Sequence, residues 1–269
     1  MSGAARYQRR QVYLFLCIQV LLLAACASPA QRMDAKAFEF GFTKHVVEGL
    51  NFHHVIYATP PSKFKALHIY LDGDGSPWLH GRYIARDPTP RNPLVLELAS
   101  LDSQADIIYL GRPCYLGLFR EPMCDETLWT SARYSELVAR SMAAAAQKLI
   151  KAREPTSVSL IGYSGGGSLA MLMLAYMTDV DEVITVAANL DTDRWAEYHG
   201  YLPLEDSINP MLSRYPRHIR YRHFAGEDDE NIPAQHIREF AAQHGGEFVL
   251  LPGIGHRCCW RERWLNLIK

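Results

Sequence analysis

The chain has 269 residues, 48% of them hydrophobic, with 28 Lys and Arg against 29 Asp and Glu. That is ample apolar material for one domain with a substantial core and too little chain for two large domains. Charges of both signs are scattered along the sequence, which excludes the concentrated basic face that a nucleic-acid partner requires.

Arg6, Arg9 and Arg10 precede an apolar run from Val12 to Leu23 that only Gln19 interrupts. A basic segment followed by so short a run reads as a secretory signal, because a spanning helix needs roughly 20 apolar residues. The run closes on Leu23-Ala24-Ala25-Cys26, which resembles the lipobox of bacterial lipoproteins. The resemblance implies a signal peptide over residues 1–25 and a diacylglyceryl group on Cys26. Residues 26–37 are then a lipidated tether and 38–269 the folded domain. With Ala27 rather than an aspartate after the cysteine, it also implies the outer membrane of a Gram-negative cell, facing the periplasm.

Beyond the tether, residues 53–59 and 66–75 have the β-branched and aromatic character of strands running into turns. Residues 92–100 have helical spacing behind Pro93, and 106–111 form an apolar strand. A proline- and cysteine-containing loop leads to an alanine-rich helix over 131–153, with Ser131 as its cap and Pro155 beyond its end. A strand over 157–162 hands over to a helix at Ser164. Strands over 181–189, 218–226 and 246–253, a helix over 234–244 and a terminal helix from Trp260 complete the pattern. The 190–217 stretch is irregular, with Pro203, Pro210 and Pro216. Alternating strands and helices predict a mostly parallel sheet covered on both faces, with ligands at the carboxyl ends of its strands.

At one such end stands Gly162-Tyr163-Ser164-Gly165-Gly166. Glycines two residues before and after the serine permit a sharp strand-to-helix turn with the hydroxyl at its tip. The motif lacks the lysine of a phosphate loop and the G-x-G-x-x-G of a dinucleotide site, and it resembles the nucleophile elbow of α/β-hydrolases. A serine needs a base, which that family places after the last strand. His256, in a glycine-flanked loop, holds this position. Among the 11 histidines, His68 and His223 fall in strands and His236 and His244 on a helix, where packing accounts for them. The acid that orients the base should follow the penultimate strand. Within Gly226-Glu227-Asp228-Asp229-Glu230-Asn231-Ile232-Pro233, the family's spacing selects Asp229 and leaves Asp228 one residue out of register.

For an oxyanion hole the resemblance implies the N–H of Gly165 and a second donor from the loop after an earlier strand. Here Asp72-Gly73-Asp74-Gly75 stands where the family has His-Gly-x, so Asp74 or Gly73 is the expected donor. A carboxylate beside an oxyanion would repel it unless paired, with Arg82 and Arg112 as candidate partners. Calcium is disfavoured, since the remaining ligands of an EF-hand loop are missing.

Of six cysteines, Cys17 and Cys26 lie in or at the signal. Cys114, Cys124, Cys258 and Cys259 remain in an exported domain, which suggests disulfides with three connectivities. Their spacing is unlike that of zinc ligands. Cys114 with Cys124 is the expected pair, and Cys258 and Cys259 stay open. Taken together, DGDGSPW, RDPTPRNPL, GRPC, WTSARYSE, IGYSGGG and HRCCW resemble exported α/β-hydrolases of proteobacteria. The resemblance covers nearly the whole mature chain and names no substrate. It implies an α/β-hydrolase fold with at most a small cap, a Ser164–His256–Asp229 triad and cleavage of a small-molecule carboxylic ester with no metal or cofactor. A serine peptidase or amidase on the same fold is the alternative, followed by a non-catalytic envelope scaffold.

Overall fold

The computed structural model describes residues 27–62 and 65–269. The signal segment and the Cys26 lipidation site lie outside the described residues.

The centre is an eight-stranded sheet in the order β1-β2-β6-β3-β7-β8-β9-β10. Its strands are β1 (Thr43–Glu48), β2 (His53–Ala58), β3 (Ala66–Leu71), β6 (Asp106–Leu110), β7 (Ser157–Tyr163), β8 (Glu182–Val186), β9 (Arg220–Gly226) and β10 (Glu247–Leu251). β2 runs antiparallel to β1 and β6, and every other pairing is parallel. A small hairpin of β4 (Trp78–Leu79) and β5 (Tyr83–Ile84) stands apart. β6 is buried along its whole length and β3, β7 and β8 along most of theirs, as apolar strands covered on both faces must be. β1 is an exposed edge carrying Lys44, His45 and Glu48, charges and polarity that discourage a further strand from pairing there.

Helices pack around the sheet. α2 (Leu94–Leu101) lies against the terminal α7 (Trp260–Leu267), and α3 (Glu136–Arg153) against α4 (Gly165–Met173). The buried alanines of α3, including Ala139, Ala143, Ala145 and Ala146, give it a flat face that approaches closely. α5 (Thr192–His199) and α6 (Ala234–His244) complete the set, and none of the helices among the described residues is long and apolar enough to cross a membrane.

Four expectations change. The 190–217 stretch, read as irregular, contains α5, which Asp191 caps. Residues 29–39 are not a tether but a helix, α1 (Pro29–Glu39), capped reciprocally by Ser28 and Gln31. It buries Ala30, Met33 and Ala37, and the Tyr57 hydroxyl of β2 donates to its Asp34 at 2.7 Å. The packed structure therefore starts about one helix earlier than residue 38. α3 begins at Glu136, capped by Ser135 rather than Ser131, because a 3₁₀ turn (Glu126–Trp129) and further turns occupy the preceding segment. The strand expected over 66–75 ends at Leu71, and residues 72–77 form an irregular loop beside Ser164. The structure bridges Cys114 to Cys124, with Cα atoms 5.5 Å apart. It also bridges the neighbours Cys258 and Cys259.

Candidate active site

Ser164 caps α4 at the end of β7 with φ 51° and ψ −124°, a conformation that L-residues adopt only where surroundings enforce it. Backbone hydrogen bonds on both sides hold it, the Asn189 N–H donating to the Ser164 carbonyl at 3.3 Å among them. The Ser164 N–H donates to Val186 O at 2.9 Å, and the Ser164 carbonyl accepts from Gly167 N–H at 3.0 Å. The glycines make the close approach feasible. A Cβ on Gly162 would run into Gly166 O, and one on Gly166 into Leu71 O and Asp72 O.

His256 stands in the loop after β10, with Nε2 3.1 Å from Ser164 Oγ and Nδ1 2.8 Å from Asp229 Oδ2. Asp229 follows β9 and is buried. Its other oxygen accepts the N–H groups of Asn231 and Ile232 at 2.9 and 2.8 Å, so its carboxylate is fixed in orientation. With Nδ1–H donated to Asp229, Nε2 of a neutral imidazole is an acceptor, as removal of the serine proton requires. Two side chains hold the loop. Tyr163 Oη donates to His256 O at 2.8 Å and its ring lies 5.2 Å from the imidazole, and Trp260 Nε1 donates to Gly255 O and His256 O. Asp228 is exposed at the cleft rim.

Asn231 is a neighbour the sequence reading missed. Its Nδ2 lies 3.0 Å from His256 Nε2, on the same nitrogen that faces Ser164. Of the histidines set aside in the sequence, His68 is bound to Asp102, His223 to Thr185 and His244 to Met211 O, and His236 lies edge-on to the Tyr198 ring.

The loop after β3 comes within van der Waals range of Ser164, since a Cβ on Gly73 would sit 3.2 Å from Ser164 Cβ. Its two expected donors differ. Gly73 N–H is engaged by Asp72 Oδ1 at 2.7 Å. Asp74 N–H and Gly165 N–H have no acceptor among the described residues, while the Gly73–Asp74 peptide that carries the Asp74 N–H is held by Arg112 Nη1, which donates to Gly73 O at 3.3 Å. The Asp74 carboxylate is turned into a cationic nest. Arg112 Nη1 donates to Oδ1 at 2.7 Å, Arg133 Nη1 to Oδ2 at 2.9 Å, and Tyr134 Oη reaches both oxygens. Burial alone would raise this carboxyl, but Arg133, Arg112 and the Tyr134 hydrogen bond outweigh it and hold it at about 2. Arg112 is thus one of the two expected partners. Arg82 instead lies over the Tyr83 ring, and Arg133 and Tyr134 take up the pairing. Asp72, by contrast, is pushed up to about 6 by burial, against the Tyr109 and Gly73 hydrogen bonds that favour its charged form.

Ser164, His256, Asp72, Gly73 and Asp74 line one cleft of about 710 Å³. No residue of the 190–217 segment lines it, so that segment does not roof Ser164. Among the described residues no three His, Cys, Asp or Glu side chains form a group able to hold a metal ion.

No protein-family model matches the chain, and neither does any curated protein. Solved structures do. An esterase of Pyrococcus furiosus superposes with a TM-score of 0.61 at 14% identity, over 86% of this chain and 90% of that one. An alpha-beta serine hydrolase homologue from Coxiella burnetii gives 0.56 at 19%, over 84% and 93%. A serine hydrolase without lid from Xanthomonas campestris gives 0.53 at 12%, over 84% and 89%. The chain has the α/β-hydrolase fold.

Proposed function

We propose that this protein is a serine hydrolase that cleaves carboxylic esters through an acyl-enzyme. The observation that carries the reading is the continuous chain from Ser164 Oγ through His256 to Asp229, at 3.1 and 2.8 Å, at the open end of the sheet. Ser164 Oγ attacks the ester carbonyl carbon as His256 Nε2 takes the hydroxyl proton, and the carbonyl oxygen becomes an oxyanion held by the N–H groups of Gly165 and Asp74. Collapse of this intermediate breaks the ester C–O bond. The departing alkoxide takes the proton from His256, leaving Ser164 acylated. Water then attacks the acyl carbon, giving its proton to His256, and that proton returns to Ser164 as the acid leaves. Asp229 stays ionised and stabilises the imidazolium in both halves.

Serine labelling tests this reading. A fluorophosphonate should modify the wild-type protein at Ser164, and Ser164→Ala should lose both labelling and ester turnover while keeping its fold. Unchanged turnover in that variant would reject the proposal. Faster cleavage of peptide anilides than of p-nitrophenyl esters would favour the amidase alternative.

The lipobox-like Leu23-Ala24-Ala25-Cys26 supports a lipid-anchored enzyme at the outer membrane, with α1 following almost directly on the anchor. Cys26→Ser should move the protein out of the membrane fraction, and retention there would contradict the anchor.

A further inference from the structure

We infer that the substrate carries a short acyl group on a polar, hydrogen-bonding alcohol, and that long-chain acyl esters are poor substrates. This deepens the esterase reading and rests on it. Pro90, Leu94 and Tyr163 are the apolar side chains that line the cleft. Tyr163 is already occupied, with its ring against the imidazole and its hydroxyl on His256 O. Pro90 and Leu94 are themselves buried in the fold and present little more than one patch. Among the described residues no further apolar side chain lines the cleft, and the 190–217 segment supplies no roof.

The remaining lining is polar. Arg91, Asp228, Glu230 and Arg257 are exposed in the cleft, and none of them forms an ion pair with another described residue. They differ in this from Asp74, whose charge is answered inside the fold. An alkyl chain laid along this lining would gain little apolar burial and would displace water from charges that it cannot hydrogen-bond, an unfavourable exchange. A hydroxylated or charged alcohol meets them with hydrogen bonds instead. Discrimination through such polar contacts is also the sharper kind, because an analogue lacking them leaves the site's groups unpaired.

The physics of acyl length supplies the test. In an apolar pocket each methylene buried contributes about 0.8 kcal/mol, or roughly fourfold in kcat/KM. With purified enzyme, kcat/KM should be measured for p-nitrophenyl acetate, butyrate, octanoate and laurate, and then for acetyl esters of methyl glucoside and of hexanol. Expected are a maximum at acetate or butyrate, a decline beyond it, and a higher kcat/KM for the glucoside acetate than for hexyl acetate. A steady rise to octanoate or laurate, or a preference for hexyl acetate, would overturn the inference while leaving the esterase reading standing. Fluorophosphonate labelling of Ser164 in the same preparation separates the two failures. Labelling without turnover of any acetate or butyrate overturns the substrate class, and absence of both labelling and turnover rejects the catalytic reading together with it.

Discussion

Asp229 and Asp228 are adjacent carboxylates with opposite surroundings. Asp229 is buried, takes two backbone N–H groups on one oxygen and His256 on the other, whereas Asp228 faces the cleft without touching the imidazole. Asp229→Asn would offer an amide N–H to Nδ1, shift the proton to Nε2 and remove the acceptor that Ser164 needs. A loss on the order of 10⁴-fold in kcat is expected, far more than for Asp228→Asn, and steady-state kinetics on one ester decides the order. Arg112 invites a different experiment. Its side chain is 2% exposed and bound to Asp74, so Arg112→Ala breaks a buried pair, a change that costs about 3–5 kcal/mol. Urea unfolding should show that loss, and a wild-type midpoint would mean that Arg133 and Tyr134 suffice for Asp74. At this scale the sequence was informative wherever a role is tied to a local pattern. Ser164 announces itself through its glycines, and Asp229 through its distance from Ile232 and Pro233. Arg133, Tyr134 and Asn231 carry no such pattern. Arg133 and Tyr134 meet Asp74 across about 60 residues of chain, and only the folded sheet brings them together.

Between β7 and α4 the backbone leaves no room for side chains. A methyl group on Gly166 would collide with the carbonyls of Leu71 and Asp72, main-chain atoms of β3 and its loop that cannot swing aside. Gly166→Ala should therefore destabilise the protein by about 1–3 kcal/mol, as overpacking does, and slow fluorophosphonate labelling by more than the lost folded fraction explains. Thermal unfolding and labelling rate, measured together, check this; wild-type values for both would show that the elbow tolerates a Cβ. The strands were legible for a related reason, since β3, β6, β7 and β8 are apolar runs that only a sheet buried on both faces accommodates. α1 was hidden by its context. Ser28 and Gln31 form an S-x-x-Q capping box that marks a helix start, yet it stands two residues beyond a cysteine that reads as the end of a signal. β1 was hidden for another reason: its exposed, charged edge lacks the apolar alternation by which a strand is recognised.

The molecule as a whole should become less stable as it is acidified through mildly acid pH. His54 is buried between Gly111 O, to which Nδ1 donates, and Ser141 Oγ, which faces Nε2. Burial lowers it to about 4, and burial likewise lowers His223, beside Thr185, to about 4. Both have folded values below the 6.5 of the unfolded chain. Their contribution is complete above 6.5 and is lost as pH falls toward 4, because the unfolded state binds the protons the core refuses. Asp72 works in the opposite sense. Burial lifts it to about 6 against a model-peptide value of 3.8, so between those limits the folded state takes up a proton and gains. From pH 6 down to 4 three imidazoles, His236 included because burial lowers it as well, draw protons to the unfolded state against the one that Asp72 draws to the folded state, so the balance favours unfolding. Asp74, held at about 2, enters only below this window. Urea unfolding at intervals from pH 7 to 4.5 should show the midpoint falling throughout, and His54→Gln should flatten the fall. A midpoint that held steady or rose on acidification would mean that the buried imidazoles are charged in the folded protein.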